Sequence, residues 1–236
     1  MDSVARDKSV LRKMGYSKVE REAQTPRYSL GEEIANAITH GLGACLSIAA
    51  LPLLIVRAAT RAPSDAIGGY VVGYSIFGSS MLFLYLVSTI YHALTPSRAK
   101  RVFARLDHSA IFVLIAGTYT AYCLGSLNSS SGWWLFGTIW ALAAVGIVAY
   151  CVYDSRAKAF TLTLYLVMGW FAALVARQLF IVLPTISWTS LLIGGASYTV
   201  GVAFFLMKSL KWTHSVWHLF VVGGSVMHFF SLFWAI

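Results

Sequence analysis

Seven apolar stretches recur along this chain, each about long enough to cross roughly 30 Å of hydrocarbon as a helix. They cover about Ala35–Val56, Ile67–His92, Ser109–Leu127, Trp133–Tyr153, Phe160–Val182, Ser187–Met207 and Ser215–Ile236. Lipid offers no hydrogen bonds to a main chain, so runs of this length must satisfy their backbone internally, as helices do. The expected fold is all-α: a seven-transmembrane helix bundle over residues 29–236, preceded by a polar N-terminal tail over residues 1–28. The boundary with least support lies between the fifth and sixth stretches, where only Leu183 to Ile186 separate them. Pro184 argues for a break there, because proline removes a helix hydrogen bond and clashes with the preceding turn.

Composition excludes a soluble alternative. Of 236 residues, 58% are hydrophobic and 11% charged, against about 25% charged in ordinary soluble domains. Cys45, Cys123 and Cys151 all fall in apolar runs, an odd and widely spaced set that makes neither a disulfide framework nor a cysteine metal site. The tail has no apolar core or small-residue cleavage site, so no removable leader is expected. The net charge of +9 does not imply nucleic acid, because no soluble basic module carries it.

Where the charges fall sets an expected orientation instead. One set of connections holds Arg6, Lys8, Arg12, Lys13, Lys18, Arg21 and Arg27, then Arg98, Lys100, Arg101 and Arg105, then Arg156 and Lys158, then Lys208 and Lys211; the other holds only Arg57 and Arg61. By the positive-inside rule the N-terminus is cytoplasmic and the C-terminus outside. Trp133, Trp134, Trp188 and Trp234 then fall toward the outer interface and Trp212 toward the inner one, as an aromatic belt places them.

That orientation brings a set of polar residues to one depth. Ser88 and His92 leave the second stretch, Asp107 enters the third, and His214 and His218 enter the seventh. Polar groups in hydrocarbon are costly and mark function by default. His214 and His218 are spaced i,i+4, which puts both rings on one helix face. Three histidines with a carboxylate nearby are the set that holds Zn²⁺ with one coordination position open, and such an ion lowers the pKa of its bound water toward about 7. Asp107 is the candidate general base; alternatively it is a carboxylate favoured by a helix start. Ser88 either polarises a substrate carbonyl or bonds back to its own helix.

Ser29 with Glu32 reads as a capping box opening the first helix. Glu33, Asn36 and His40 follow on one stripe, either to orient the zinc ligands or to hydrogen-bond between helices. His108 points about 100° away from Asp107 and is expected to pack rather than ligate. His228 lies ten residues beyond His218, too deep to share the ion; it is expected to hydrogen-bond within the core, the alternative being that it lines a cavity. Arg177 is expected to snorkel to the interface, and Gly69 with Gly73 to mark close helix packing. There is no H-E-x-x-H, no G-x-S-x-G elbow and no glycine-rich phosphate loop. What remains is metal-assisted hydrolysis or no chemistry.

The strings from Glu32 to His40 (EEIANAITH), Ser88 to His92 (STIYH), Leu106 to Ile111 (LDHSAI), Leu114 to Thr120 (LIAGTYT) and His214 to His218 (HSVWH) resemble the haemolysin III proteins. Those are the bacterial branch of the progestin and adipoQ receptor family. The resemblance runs from about Tyr28 to the C-terminus. It implies a seven-helix bundle with zinc held by His92, His214 and His218 near the cytoplasmic face, and Asp107 contacting the zinc-bound water. The wider superfamily includes alkaline ceramidases, which implies a lipid amide or ester substrate and a role in membrane-lipid homeostasis, at the plasma membrane of a bacterium. Two other readings stay open: a receptor or regulator in which zinc is structural, and the membrane-lysing activity behind the family label. Against the last, no amphipathic segment is free to leave the bundle.

Overall fold

A computed structural model describes residues 28–207 and 209–236. Among them are seven helical segments long and apolar enough to cross a membrane, and no strand. The tail expected over residues 1–28 lies outside the described residues except for Tyr28. The spans are Leu30–Arg61, Ile67–Ala93, Arg98–Leu124, Ser130–Tyr153, Lys158–Val182, Thr185–Leu206 and Thr213–Phe233. The order and number agree with the sequence reading, and Pro184 caps the sixth span from just outside it.

Local chemistry sets several of the ends. Ser29 and Glu32 form the capping box, each side chain bonded to the other's backbone. Ser97 caps the third span through the Lys100 amide, and Ser129 the fourth through the Gly132 amide. The third span therefore begins at Arg98, well before the apolar run that suggested Ser109. Asp107 lies nine residues inside that helix, so the helix-start reading of this carboxylate is withdrawn, since the dipole acts within the first turn.

The fifth span is not one helix. An α-helix over Lys158–Trp170 gives way to a 3₁₀ turn over Phe171–Val175 before a short α-helix over Ala176–Val182. Tyr119 of the third span is the cause. Its hydroxyl lies 2.8 Å from the Met168 carbonyl and 3.1 Å from the Gly169 carbonyl, toward which it donates, and accepts from the Ala172 amide at 2.7 Å. A side chain inserted into the hydrogen-bond ladder bends a helix at that point.

The first span packs on the second, the second on the third, the third on the fourth, and the seventh on both the sixth and the first, while the fifth touches its neighbours only sparsely. Where the second and third spans meet, a Cβ on Gly69 would lie 2.2 Å from the Leu124 carbonyl oxygen, and one on Gly73 2.9 Å from the Ala121 Cα. These two glycines are the close-packing stripe the sequence suggested. Across the bundle, between the third, fifth, sixth and seventh spans, lies a cavity of about 380 Å³. Trp133 and Trp134 are exposed at the start of the fourth span, whereas Trp188 lines the cavity.

Candidate metal centre

His92 ends the second span, and His214 and His218 lie in the first two turns of the seventh. The chain reaches the seventh span through Trp212, whose φ of 66° puts it in the left-handed region. Its amide donates to Glu32 Oε1 at 3.1 Å, which ties the start of the seventh span to the start of the first. With that junction fixed, the three histidines each offer a ligand atom, and these atoms all lie within 4.8 Å of one another. Their ring centroids are 4.5 to 5.3 Å apart.

Two of the rings are held from behind. His92 Nδ1 is 2.6 Å from Glu33 Oε2, and Lys100 Nζ donates to the other oxygen of the same carboxylate at 2.8 Å. His218 Nδ1 is 3.2 Å from the Asn36 carbonyl and 3.2 Å from Thr39 Oγ1. Ser215 donates to Asn36 Oδ1 at 2.5 Å. In each case an oxygen acceptor calls for the proton on Nδ1 and leaves Nε2 with its lone pair. Both Nε2 atoms are buried and meet no hydrogen-bond partner among the described residues. A buried polar atom without a partner costs free energy, and a cation shared with His214 satisfies two of them at once. The donor set fits a metal ion: imidazole nitrogens with their far sides hydrogen-bonded are the usual arrangement around zinc.

The stripe on the first span is thus brought to the histidines residue by residue. Glu33 and Asn36 hold His92 and His218, and His40 stacks on His218 with centroids 3.5 Å apart. Asp107 is buried and lines the cavity together with His40 and His214. Ser88 is fully buried and does not line it. Its Oγ meets no partner among the described residues, while its neighbour Thr89 does bond back to the Tyr85 carbonyl. The back-bonding expected as the alternative for Ser88 is therefore not made. His108 stacks on Tyr150 and lies 3.0 Å from the Ala104 carbonyl, and it also lines the cavity with its Nδ1 3.8 Å from Asp107 Oδ2.

Some contacts gave no signal in the sequence. Tyr28 stacks on His214 with centroids 4.8 Å apart, and Lys100 and Ser215 complete the network. A lysine in a basic run and a serine in a helix are too common to single out before the fold brings them together.

A helical bundle of seven candidate membrane spans, with three histidines gathered at one end, defines a multi-pass membrane protein with a possible three-histidine metal site. Residues 28–229 match the family model described as Haemolysin-III related, and the chain belongs to that family. It is 45% identical to Hemolysin-3 of Bacillus cereus over 85% of this chain and 90% of that protein. It is 42% identical to the Hemolysin-3 homolog of Bacillus subtilis (strain 168), over 87% and 94%. The human Monocyte to macrophage differentiation factor is 28% identical over 85% of this chain and 83% of its own length.

Proposed function

We propose that this protein is an integral membrane zinc hydrolase that cleaves a lipid amide or ester, with its site in the cytoplasmic leaflet of a bacterial inner membrane. The observation that carries it is the pair of buried, unpartnered Nε2 atoms of His92 and His218, set beside His214 and next to a cavity that Asp107 lines. His92, His214 and His218 would hold the ion. A Zn²⁺ on three neutral imidazoles supplies Lewis acidity and makes a water acidic enough to be used near neutral pH.

The chain's own residues do the rest. Glu33 and the Asn36 carbonyl keep the protons of His92 and His218 on Nδ1, so both rings are preset as ligands. Lys100 compensates the charge on Glu33, which lets that carboxylate stay in place. Asp107 is the base that takes a proton from the attacking water; the role proposed for Ser88, polarising the carbonyl under attack, requires the substrate to reach past the cavity lining, which Ser88 does not join. The cavity beyond is walled mainly by apolar and aromatic side chains such as Leu114, Ile115, Leu166 and Val202, a lining suited to an aliphatic chain and not to a charged solute. The N-terminus is placed in the cytoplasm and the C-terminus outside on the charge asymmetry.

The network between the first, second and seventh spans also favours a second reading, in which zinc ties these helices together in a receptor or regulator without turnover. One experiment separates the two. The protein purified in detergent is assayed for bound metal by elemental analysis, then incubated with ceramide-like amides while fatty-acid release is followed. Zinc with release that vanishes in Asp107→Asn supports the hydrolase; zinc without release supports the structural reading; absence of zinc overturns both.

A further inference from the structure

The cavity has a second polar feature far from the histidine triplet. His228 lines it from the seventh span, ten residues beyond His218, or about 15 Å along the helix axis. The residue is 8% exposed. The Leu191 backbone lies close enough to interact with the ring, but neither ring nitrogen makes a hydrogen bond of good geometry among the described residues.

The polar groups around it are served. Tyr198 OH lies 2.8 Å from Ser225 Oγ, which accepts from Tyr85 OH at 2.6 Å. Tyr122 donates to Ser231 Oγ at 2.6 Å, and Ser187 donates to the Ser231 carbonyl at 2.7 Å. In this set His228 makes no well-formed hydrogen bond; the Leu191 backbone lies toward its donor, and its lone pair is left bare inside an apolar space, where an unpaired polar group is costly.

The ring is also held firmly where it is. A Cβ on Gly194 would lie 2.4 Å from His228 Cδ2, and one on Gly224 would lie 2.7 Å from the Tyr198 ring. The sixth and seventh spans each carry a glycine four residues before a ring, and each ring fills the hollow left by the other's glycine. An imidazole wedged in this way cannot swing to another partner, so the partner has to arrive through the cavity.

An uncharged imidazole offers one N–H donor and one lone pair. A charged group would lose its hydration in this space, and a carbonyl would use only the donor. A hydroxyl can use either. We propose that His228 recognises a hydroxyl carried on the aliphatic chain that occupies the cavity. The favoured ligands are then hydroxylated acyl chains whose hydroxyl lies about 15 Å from the acyl carbonyl. With carbon–carbon bonds of about 1.5 Å at tetrahedral angles, an extended chain advances about 1.25 Å per carbon, so that distance corresponds to about twelve carbons. This proposal rests on the reading that an acyl chain enters with its carbonyl at the histidines.

Displacement of a fluorescent fatty acid from the purified full-length chain in detergent tests it without any turnover. The competitors are octadecanoic acid and its two forms hydroxylated at the second or the twelfth carbon. The twelfth-carbon isomer should displace the probe at roughly five- to tenfold lower concentration than the other two, the gain of about one net hydrogen bond. His228→Leu should erase that advantage, so that the twelfth-carbon isomer and the parent acid displace the probe at the same concentration, and His228→Asn should keep part of it. Equal displacement by the two isomers in the unaltered protein, which needs no variant, overturns the proposal. So does an advantage that survives His228→Leu. If no acid displaces the probe, the acyl-chain reading of the cavity falls and takes this one with it. If the preference is found but lipid hydrolysis is not, the reaction is refuted and the preference stands.

Discussion

Gly69 and Gly195 occupy membrane helices of the same molecule in opposite circumstances. A Cβ on the first would press to 2.2 Å of a main-chain oxygen; one on the second would meet nothing within 4 Å. Gly69 belongs to the wall made by the first three spans, where Gly43 and Gly117 are also confined, by the side chains of Tyr85 at 2.7 Å and Ser80 at 2.4 Å. Gly195 lines the cavity, and Gly169 on the fifth span is open in the same way. The contrast separates two tasks. A ligand cage needs side chains held to a fraction of an ångström, and helices in main-chain contact provide that. A chamber needs room, and the fifth span provides it by touching its neighbours only sparsely, while the sixth packs on the seventh with one face and turns an open one to the cavity.

The comparison can be broken at the cage first. His218→Ala should cost at least about a hundredfold in zinc affinity, since removing a ligand exceeds the 10- to 100-fold loss typical of groups that only support one. Competition with a chelator followed by elemental analysis reads this, and full retention of zinc would refute the cage. Glu33→Ala removes the support behind His92 and should weaken zinc by about 10- to 100-fold in the same assay.

Packing comes next. Gly69→Ala forces the second and third spans apart and should destabilise the protein by about 1–3 kcal/mol, as overpacking does, seen as a lower thermal midpoint in detergent. Gly195→Ala should have the smallest effect and of opposite sign, a gain of up to about 1 kcal/mol from helix propensity alone. If both substitutions move the midpoint equally, the division into a tight wall and an open chamber is wrong.

Much of the cage was legible before any fold was known. The i,i+4 pair His214/His218, the stripe Glu33–Asn36–His40 and the capping box Ser29/Glu32 depend only on helical geometry, which periodicity reveals. His92 joined them because alternate connections share one side of a membrane. What stayed hidden depends on contacts between distant segments. Lys100 reads as one more cytoplasmic charge until the first and third spans place it on Glu33. The third span begins at Arg98, not Ser109, because a serine cap and helix propensity extend it past the apolar run. The break at Phe171–Val175 has no proline within it; Tyr119, some fifty residues earlier, makes it.

That last feature bears on how the chain is built into a bilayer. A corner dictated by a residue of its own would be present from the moment the fifth segment leaves the ribosome, with stranded main-chain groups to shelter during insertion. A corner imposed by a borrowed phenol need not exist then. The segment can enter lipid as a straight rod and be bent only when its neighbour docks, so the cavity wall takes its shape as a late product of assembly.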